Sequence, residues 1–282
     1  GKEHPGAVFL PHAGYINDPQ LATHNLQRSA EAAGAPFEFN AEVAEIRREG
    51  GRVEGITLKD GRAVDAGVVV NAAGPHSAVV NRIAGVEQEM KVGTRPLRKE
   101  VHYLPFPRGG QGQPYGRLAS DDDVGVYSRE EAGGLILVGS IDPKCDPLDW
   151  VDDPDDFNRE VTEGQWKAQV YRMGLRIPEL EIPNRTKGVV DLYDATDDWI
   201  PIYDRSSLDG FYLAVGTSGN QFKTAPMVGR LMAELIEACE SGQDHDADPV
   251  QVRGPYTGRN LNIGFYSRNR EIHLDSSFSV LG

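Results

Sequence analysis

Phe211-Tyr212-Leu213-Ala214-Val215-Gly216-Thr217-Ser218-Gly219-Asn220-Gln221-Phe222-Lys223 is the stretch on which the reading of this chain turns. Five apolar residues form a strand. A glycine-rich turn follows, then a polar and basic cluster, and a long amphipathic helix opens at Thr224-Ala225-Pro226. That order brings bare backbone N–H groups and the positive end of a helix to one place, which suits an anionic or electron-rich ligand. Small residues at the C-terminal end of a strand also let a ligand approach the backbone, and open α/β sheets bind their ligands at that edge.

Working outward, Met227, Val228, Leu231, Met232, Leu235 and Ile236 recur at helical spacing and mark the core face of that helix. Far upstream, Gly67-Val68-Val69-Val70-Asn71 is apolar without alternation, as for a strand covered on both faces. It runs into Ala72-Ala73-Gly74, with a helix starting near Pro75. Between the N-terminus and this strand, short strands are expected at Ala7–Leu10, Phe37–Phe39, Glu42–Arg47 and Arg52–Leu58, the later ones joined by turns at Gly50-Gly51 and Asp60-Gly61. Asp18 and Pro19 cap and start a helix whose apolar face is Leu21, Ala22, Leu26, Ala30 and Ala33. A complete dinucleotide domain carries G-x-G-x-x-G after its first strand. No such turn occurs, and Gly109-Gly110-Gln111-Gly112 lacks a flanking strand and helix.

The middle of the chain, from about residue 95 to 190, has a different character. Strands at Lys99–Phe106 and Leu135–Ile141 and a helix from Asp155 to about Met173 point to an antiparallel sheet with a helix on it. The tail from about Gln251 is polar with scattered aromatics. The 282 residues suffice for a sizeable core, and 39% hydrophobic with 26% charged residues is ordinary for a soluble globular protein. No apolar run is long enough to span a membrane. The formal charge of −14 disfavours nonspecific nucleic-acid binding and fits a cytoplasmic protein. The acidic runs Asp121–Asp123 and 152–156 read as solvated loops. Two distant cysteines, Cys145 and Cys239, suggest no disulfide framework, with Cys239 on the apolar face of a helix. The seven histidines show no ligand spacing, so no metal is expected.

Taken together, the motifs resemble the C-terminal two-thirds of the D-amino-acid oxidase/sarcosine oxidase family of FAD enzymes. Gly14-Tyr15-Ile16-Asn17-Asp18-Pro19 resembles the family's start of its first helix here, and Phe39–Gly74 its meander and "VVNAAG" strand. Arg95-Pro96-Leu97-Arg98 resembles its "RPLRG" approach to the substrate domain, and 209–226 its "GLYxAxGxSGHGFKxAP" ending. The resemblance spans most of residues 7–240. It implies an α/β (α+β) fold: a partial FAD/NAD(P)-binding Rossmann-like domain with an antiparallel-sheet substrate domain. Residues 1–95 and 191–250 belong to the first, 96–190 to the second, and 251–282 form a tail. Family members carry the phosphate-binding turn near their N-terminus. That segment is therefore expected elsewhere, in cis or on another chain, and the sequence, which starts at Gly1, is expected to have been processed or to be part of a longer protein.

The resemblance further implies non-covalent FAD, contacted by Val43, Ala72, Ala73, Gly74, Gly216, Ser218, Gly219, Asn220, Gln221 and Phe222. Lys223 takes the place of a lysine that holds the substrate carboxylate in sarcosine-oxidase-like members. Gln221 replaces the second glycine of "GHG", which alters the backbone contact or adds a side-chain amide. Asp191 stands where some sarcosine oxidases carry a flavin-linked cysteine, so covalent attachment there is not expected. Lys144 is a looser candidate for assisting reaction with oxygen. His76 is structural or near the cofactor's AMP half, and His102 or Tyr103 could line a pocket. The implied activity is oxidation of a C–N bond in an amino acid or secondary amine by hydride transfer to flavin. The alternatives are a non-catalytic subunit that keeps the fold and an FAD-dependent 2-hydroxy-acid or glycerol phosphate oxidoreductase.

Overall fold

A computed structural model describes residues 6–107 and 118–279; the glycine cluster 109–112 lies outside them. Residues 7–10 and 37–39, expected as strands, form none, and Val8, Phe9, Leu10, Phe37 and Phe39 are exposed. Among the described residues no strand pairs with either segment. Helix α1 (Pro19–Ala32) starts as expected, with the Asp18 carboxylate accepting the Leu21 N–H at 2.8 Å. None of its residues is buried, and its Leu21 and Leu26 face solvent. Strands β1 (Val43–Glu49), β2 (Arg52–Leu58) and β3 (Ala63–Asp65) make a three-stranded antiparallel meander.

Strand β4 (Val69–Asn71) follows, then a single 3-10 turn at Gly74–His76 and helix α2 (Ser77–Ala84). The long strand β5 (Thr94–Pro105) opens a six-stranded antiparallel sheet. It also contains β6 (Ala119–Asp121), β7 (Val126–Glu131), β8 (Leu135–Ser140), β9 (Asp149–Trp150) and β10 (Gly188–Thr196), in the order β10-β5-β8-β7-β6 with β9 on β5. Helix α3 (Glu163–Gly174) covers one face of this sheet. It starts later than the sequence suggests, because Thr162 caps it by accepting the Gln165 N–H at 3.3 Å. Trp166, Val170 and Met173 pack there on Leu104, Val126, Ile136 and Val138.

The chain returns through β11 (Ile202–Arg205) and β12 (Phe211–Val215) to helix α4 (Ala225–Glu240). β12 lies between β11 and β4, antiparallel to the first and parallel to the second. Its alternate side chains explain why the run is apolar throughout. Phe211, Leu213 and Val215 enter a core with Ile46, Val53 and Ala84, while Tyr212 packs on the other face with Leu231 and Leu235 of α4. β4 does not meet that expectation: Val70 is 41% exposed, because β4 is the edge of its sheet. The tail carries regular structure within the described residues. A hairpin of β13 (Gln251–Arg253) and β14 (Asn260–Asn262) leads to a 3-10 turn at Ile263–Tyr266. Beyond it Arg268 and Arg270 are buried.

Candidate functional site

Because β4 and β12 are parallel neighbours, paired Phe211 to Val69 and Leu213 to Asn71, their C-terminal turns leave the same edge of the sheet. Ala72–Gly74 and Gly216–Phe222, more than a hundred residues apart in sequence, thus come together. Asn71, buried at the end of β4, shapes the first turn. Its Oδ1 accepts the Ala73 N–H at 3.1 Å, and its amide donates to Ser77 O at 3.0 Å and Asn81 Oδ1 at 2.8 Å. Gly74 has φ +56 and open space where a Cβ would stand. Val43, by contrast, lies in β1 and packs against the core cluster beneath this edge.

In the second turn the glycines have a packing reason. A Cβ on Gly216 would meet Thr196 at 2.2 Å, and one on Gly219 would meet the Tyr193 ring at 2.4 Å; both have positive φ. Ser218 is buried, also with positive φ, and donates its N–H to Asp194 O at 2.8 Å. Gln221 does not project freely. Its Oε1 accepts from Thr224 Oγ1 at 2.7 Å and Tyr203 Oη at 3.4 Å, while its Nε2 donates to Asn220 Oδ1. Asn220 is buried and its Nδ2 has no hydrogen-bond partner among the described residues. The first turn of α4 has no side-chain cap. Phe222 is exposed.

Lys223 is exposed and donates to Asn220 O at 2.8 Å. It borders a cavity of about 490 Å³ between the start of α4 and the tail hairpin, with Met227, Arg230, Tyr256 and Leu261.

The residue that ties the two turns together is one that sequence reasoning missed. Asp194, near the end of β10 and 3% exposed, accepts the Gly216 N–H at 2.6 Å and the Ser77 hydroxyl at 3.1 Å on Oδ2. Burial pushes its pKa up to about 6, against the hydrogen bonds from Gly216 and Ser77 that favour the carboxylate. One signal was available: an acid in a strand flanked by apolar residues needs partners when the strand is covered.

Other candidates separate by strand register. His102 is fully buried on the α3 side of β5, together with Arg98, Glu100 and Gln169, so it lines no open pocket. Tyr103 lies on the opposite face. His76 Nε2 is 3.0 Å from Asp155 Oδ1. Lys144 and Asp191 are exposed. Cys145 is exposed and Cys239 half-buried, both free thiols. Among the described residues no group of His, Cys, Asp or Glu could hold a metal, and no helix is long and apolar enough to cross a membrane.

The residues fit an FAD group on two structural grounds: open space at Gly74 and the orphaned Asn220 donor. The sequence pattern of the FAD dependent oxidoreductase family (DAO) matches residues 1–235. The chain belongs to this family of FAD-dependent oxidoreductases. It is 30% identical over 189 residues to FAD-dependent oxidoreductase domain-containing protein 1 of Bos taurus, covering 61% of this chain and 36% of that protein. Glycine oxidase of Geobacillus kaustophilus is 24% identical over 241 residues, 85% of this chain and 58% of the enzyme. Among solved structures, L-proline dehydrogenase from P. horikoshii superposes with a TM-score of 0.66 at 20% identity, over 88% of this chain and 58% of that one. The chain thus spans between about a third and three-fifths of the length of these proteins.

Proposed function

We propose that this chain supplies the substrate-facing sheet and one side of the FAD site in an enzyme that oxidises a C–N bond of an amino acid or secondary amine. The convergence of Ala72–Gly74 and Gly216–Phe222 at one sheet edge carries this reading. The relatives named glycine oxidase and L-proline dehydrogenase support the substrate class. Bound FAD supplies a hydride acceptor, and the protein supplies orientation and electrostatics.

Each group then has a role that its position supports. Ala72, Ala73 and Gly74 leave room for the cofactor against the backbone. The Asn220 amide would donate to its electron-rich edge. Lys223 attracts the substrate carboxylate and orients the C–H beside the nitrogen. Asp194 and Asn71 hold the two turns in register. Among the described residues the edge of β4 is unpaired and the apolar face of α1 uncovered, which supports a further element of the reading. A segment bearing the phosphate-binding turn, in cis or on another chain, adds to that edge and completes the site. Residues 1–95 and 191–250 form the cofactor side, 96–190 the substrate side, and the rest a tail.

The test is the absorbance of the longest natural form of the protein between 300 and 550 nm. Flavin bands bleached anaerobically by an N-methyl or D-amino acid are the expected result. Bleaching by 2-hydroxy acids alone, or a protein that takes up no FAD, overturns the reading. In the loaded enzyme Lys223→Ala raises KM for a carboxylate substrate with FAD retained; unchanged kinetics sink the role of Lys223.

A further inference from the structure

One polar cluster on the face of the six-stranded sheet opposite α3 has no part in the roles above. Lys99 of β5 pairs its ammonium with the carboxylate of Asp142, two residues past the end of β8, and their side chains are only 12% and 4% exposed. The Lys99 ammonium stands 6.0 Å from the centre of the Tyr193 ring. Tyr193 lies beside Tyr127 and is the ring against which Gly219 packs. The cluster therefore adjoins the second turn of the candidate site.

Two independent features single out Asp142. Its backbone has φ +57, a left-handed conformation that Asp and Asn adopt more readily than other non-glycine residues, though still at a cost. Such strain persists where surrounding structure imposes it, and it gathers at ligand sites. In addition, Oδ2 is buried with no hydrogen-bond partner among the described residues, while Oδ1 is taken by Lys99 and the Asp142 N–H donates to Ser140 Oγ at 3.0 Å. Burial pushes the Asp142 pKa up and Lys99 draws it back. An orphaned carboxylate oxygen is costly in the absence of a donor. It can only accept, and Lys99 already balances its charge. The group that completes it is an N–H donor brought by a ligand.

We propose that Asp142 is a specificity-determining residue that accepts an N–H from the ammonium group of the substrate, with Lys99 as the positioning residue that fixes the carboxylate. The ligand class is an amino or N-alkylamino carboxylate in its zwitterionic form. This rests on the amine reading above.

The test uses ligands that cannot be oxidised. α-Aminoisobutyrate lacks the hydrogen to be removed, and pivalate is its isostere with a methyl group in place of the ammonium. Calorimetric binding to the full-length, FAD-loaded protein should favour α-aminoisobutyrate by about tenfold or more, the worth of a charge-assisted hydrogen bond. Asp142→Asn should bring the ratio to within about threefold, and Asp142→Glu should keep part of it. Asp142→Gly relieves the positive φ, so it should fold and still lose the preference. A wild-type ratio near one, or a preference that survives in both Asp142→Asn and Asp142→Gly, overturns the proposal. If amines bleach the flavin while that happens, only this inference fails. If no amine bleaches it, the functional reading falls and this inference with it.

Discussion

Asp194 is the clearest case of a single side chain whose consequences reach beyond its strand. Its carboxylate is bonded by Gly216 and Ser77, both uncharged, so nothing offsets the loss of hydration except hydrogen bonds. A carboxyl whose pKa rises from 3.8 to about 6 on folding binds its proton more tightly in the folded state. Its contribution is full below the unfolded value and is lost as pH rises towards 6, a loss of about 3 kcal/mol for roughly two units. Thermal unfolding of wild type and Asp194→Asn between pH 4 and 7 isolates this effect, because other titrations cancel in the difference. The stability of wild type relative to Asp194→Asn should fall across that window. Parallel profiles would mean that Asp194 titrates in its ordinary range. The residue types at both turns were legible in the sequence, and the structure adds a packing reason for two of the glycines. Gly216 and Gly219 accommodate Thr196 and Tyr193, side chains that only pairing of distant strands brings near.

Among the elements, β5 shows how much follows from alternation and how much does not. Its twelve residues place Arg98, Glu100, His102 and Leu104 towards α3, and Lys99 and Tyr103 towards the opposite face. The strand was legible from composition; which face α3 covers was not, because both faces carry polar residues. His102 is the weak point of the covered face. It is fully buried, both ring nitrogens lack a hydrogen-bond partner among the described residues, and Glu100 Oε2 stays 3.7 Å away. Burial depresses its pKa against the pull of Glu100, so the fold loses stability as pH falls through the ordinary histidine range. His102→Leu should therefore stabilise the protein by about 1 kcal/mol at neutral pH and by more below pH 6, measured by urea unfolding. A destabilised variant would show that the imidazole has a partner. α1 is the converse case. Its cap was read correctly from Asp18-Pro19, yet its apolar stripe covers nothing among the described residues, since amphipathicity states that a face is to be buried but not by what.

For the molecule as a whole, the tail beyond the matched family region acts as a clamp on the passage from β10 to β11. Arg270 reaches Asp198 with both a 2.7 Å and a 2.9 Å contact and donates to Ile200 O at 2.6 Å. The Ser276 hydroxyl donates to Asp198 O at 2.5 Å, and Phe278 packs on Leu97, Ala195 and Trp199. Although burial acts in the other direction, Arg270 holds the Asp198 carboxyl below the usual range. Arg270→Met should leave that carboxylate buried and unpaired, at a cost of about 3–5 kcal/mol in chemical denaturation. Restoring stability with Asp198→Asn in the same chain would assign the loss to the stranded charge. Stability unchanged in the single variant would show that the tail is dispensable.

The sequence by itself determined the local pieces. These are the glycine turn after an apolar strand, the capped helix, the meander and the core face of α4, each set by side-chain periodicity and backbone preference over a few residues. It also determined the family, through motifs read in order along the chain. Tertiary structure alone decided that β4 is an edge while β12 is central, that the two turns share one sheet end, and that Asp194 joins them. It likewise decided that Lys99 and Asp142 meet. These relations depend on contacts between residues tens to more than a hundred positions apart, where no periodicity of a single segment carries the pairing.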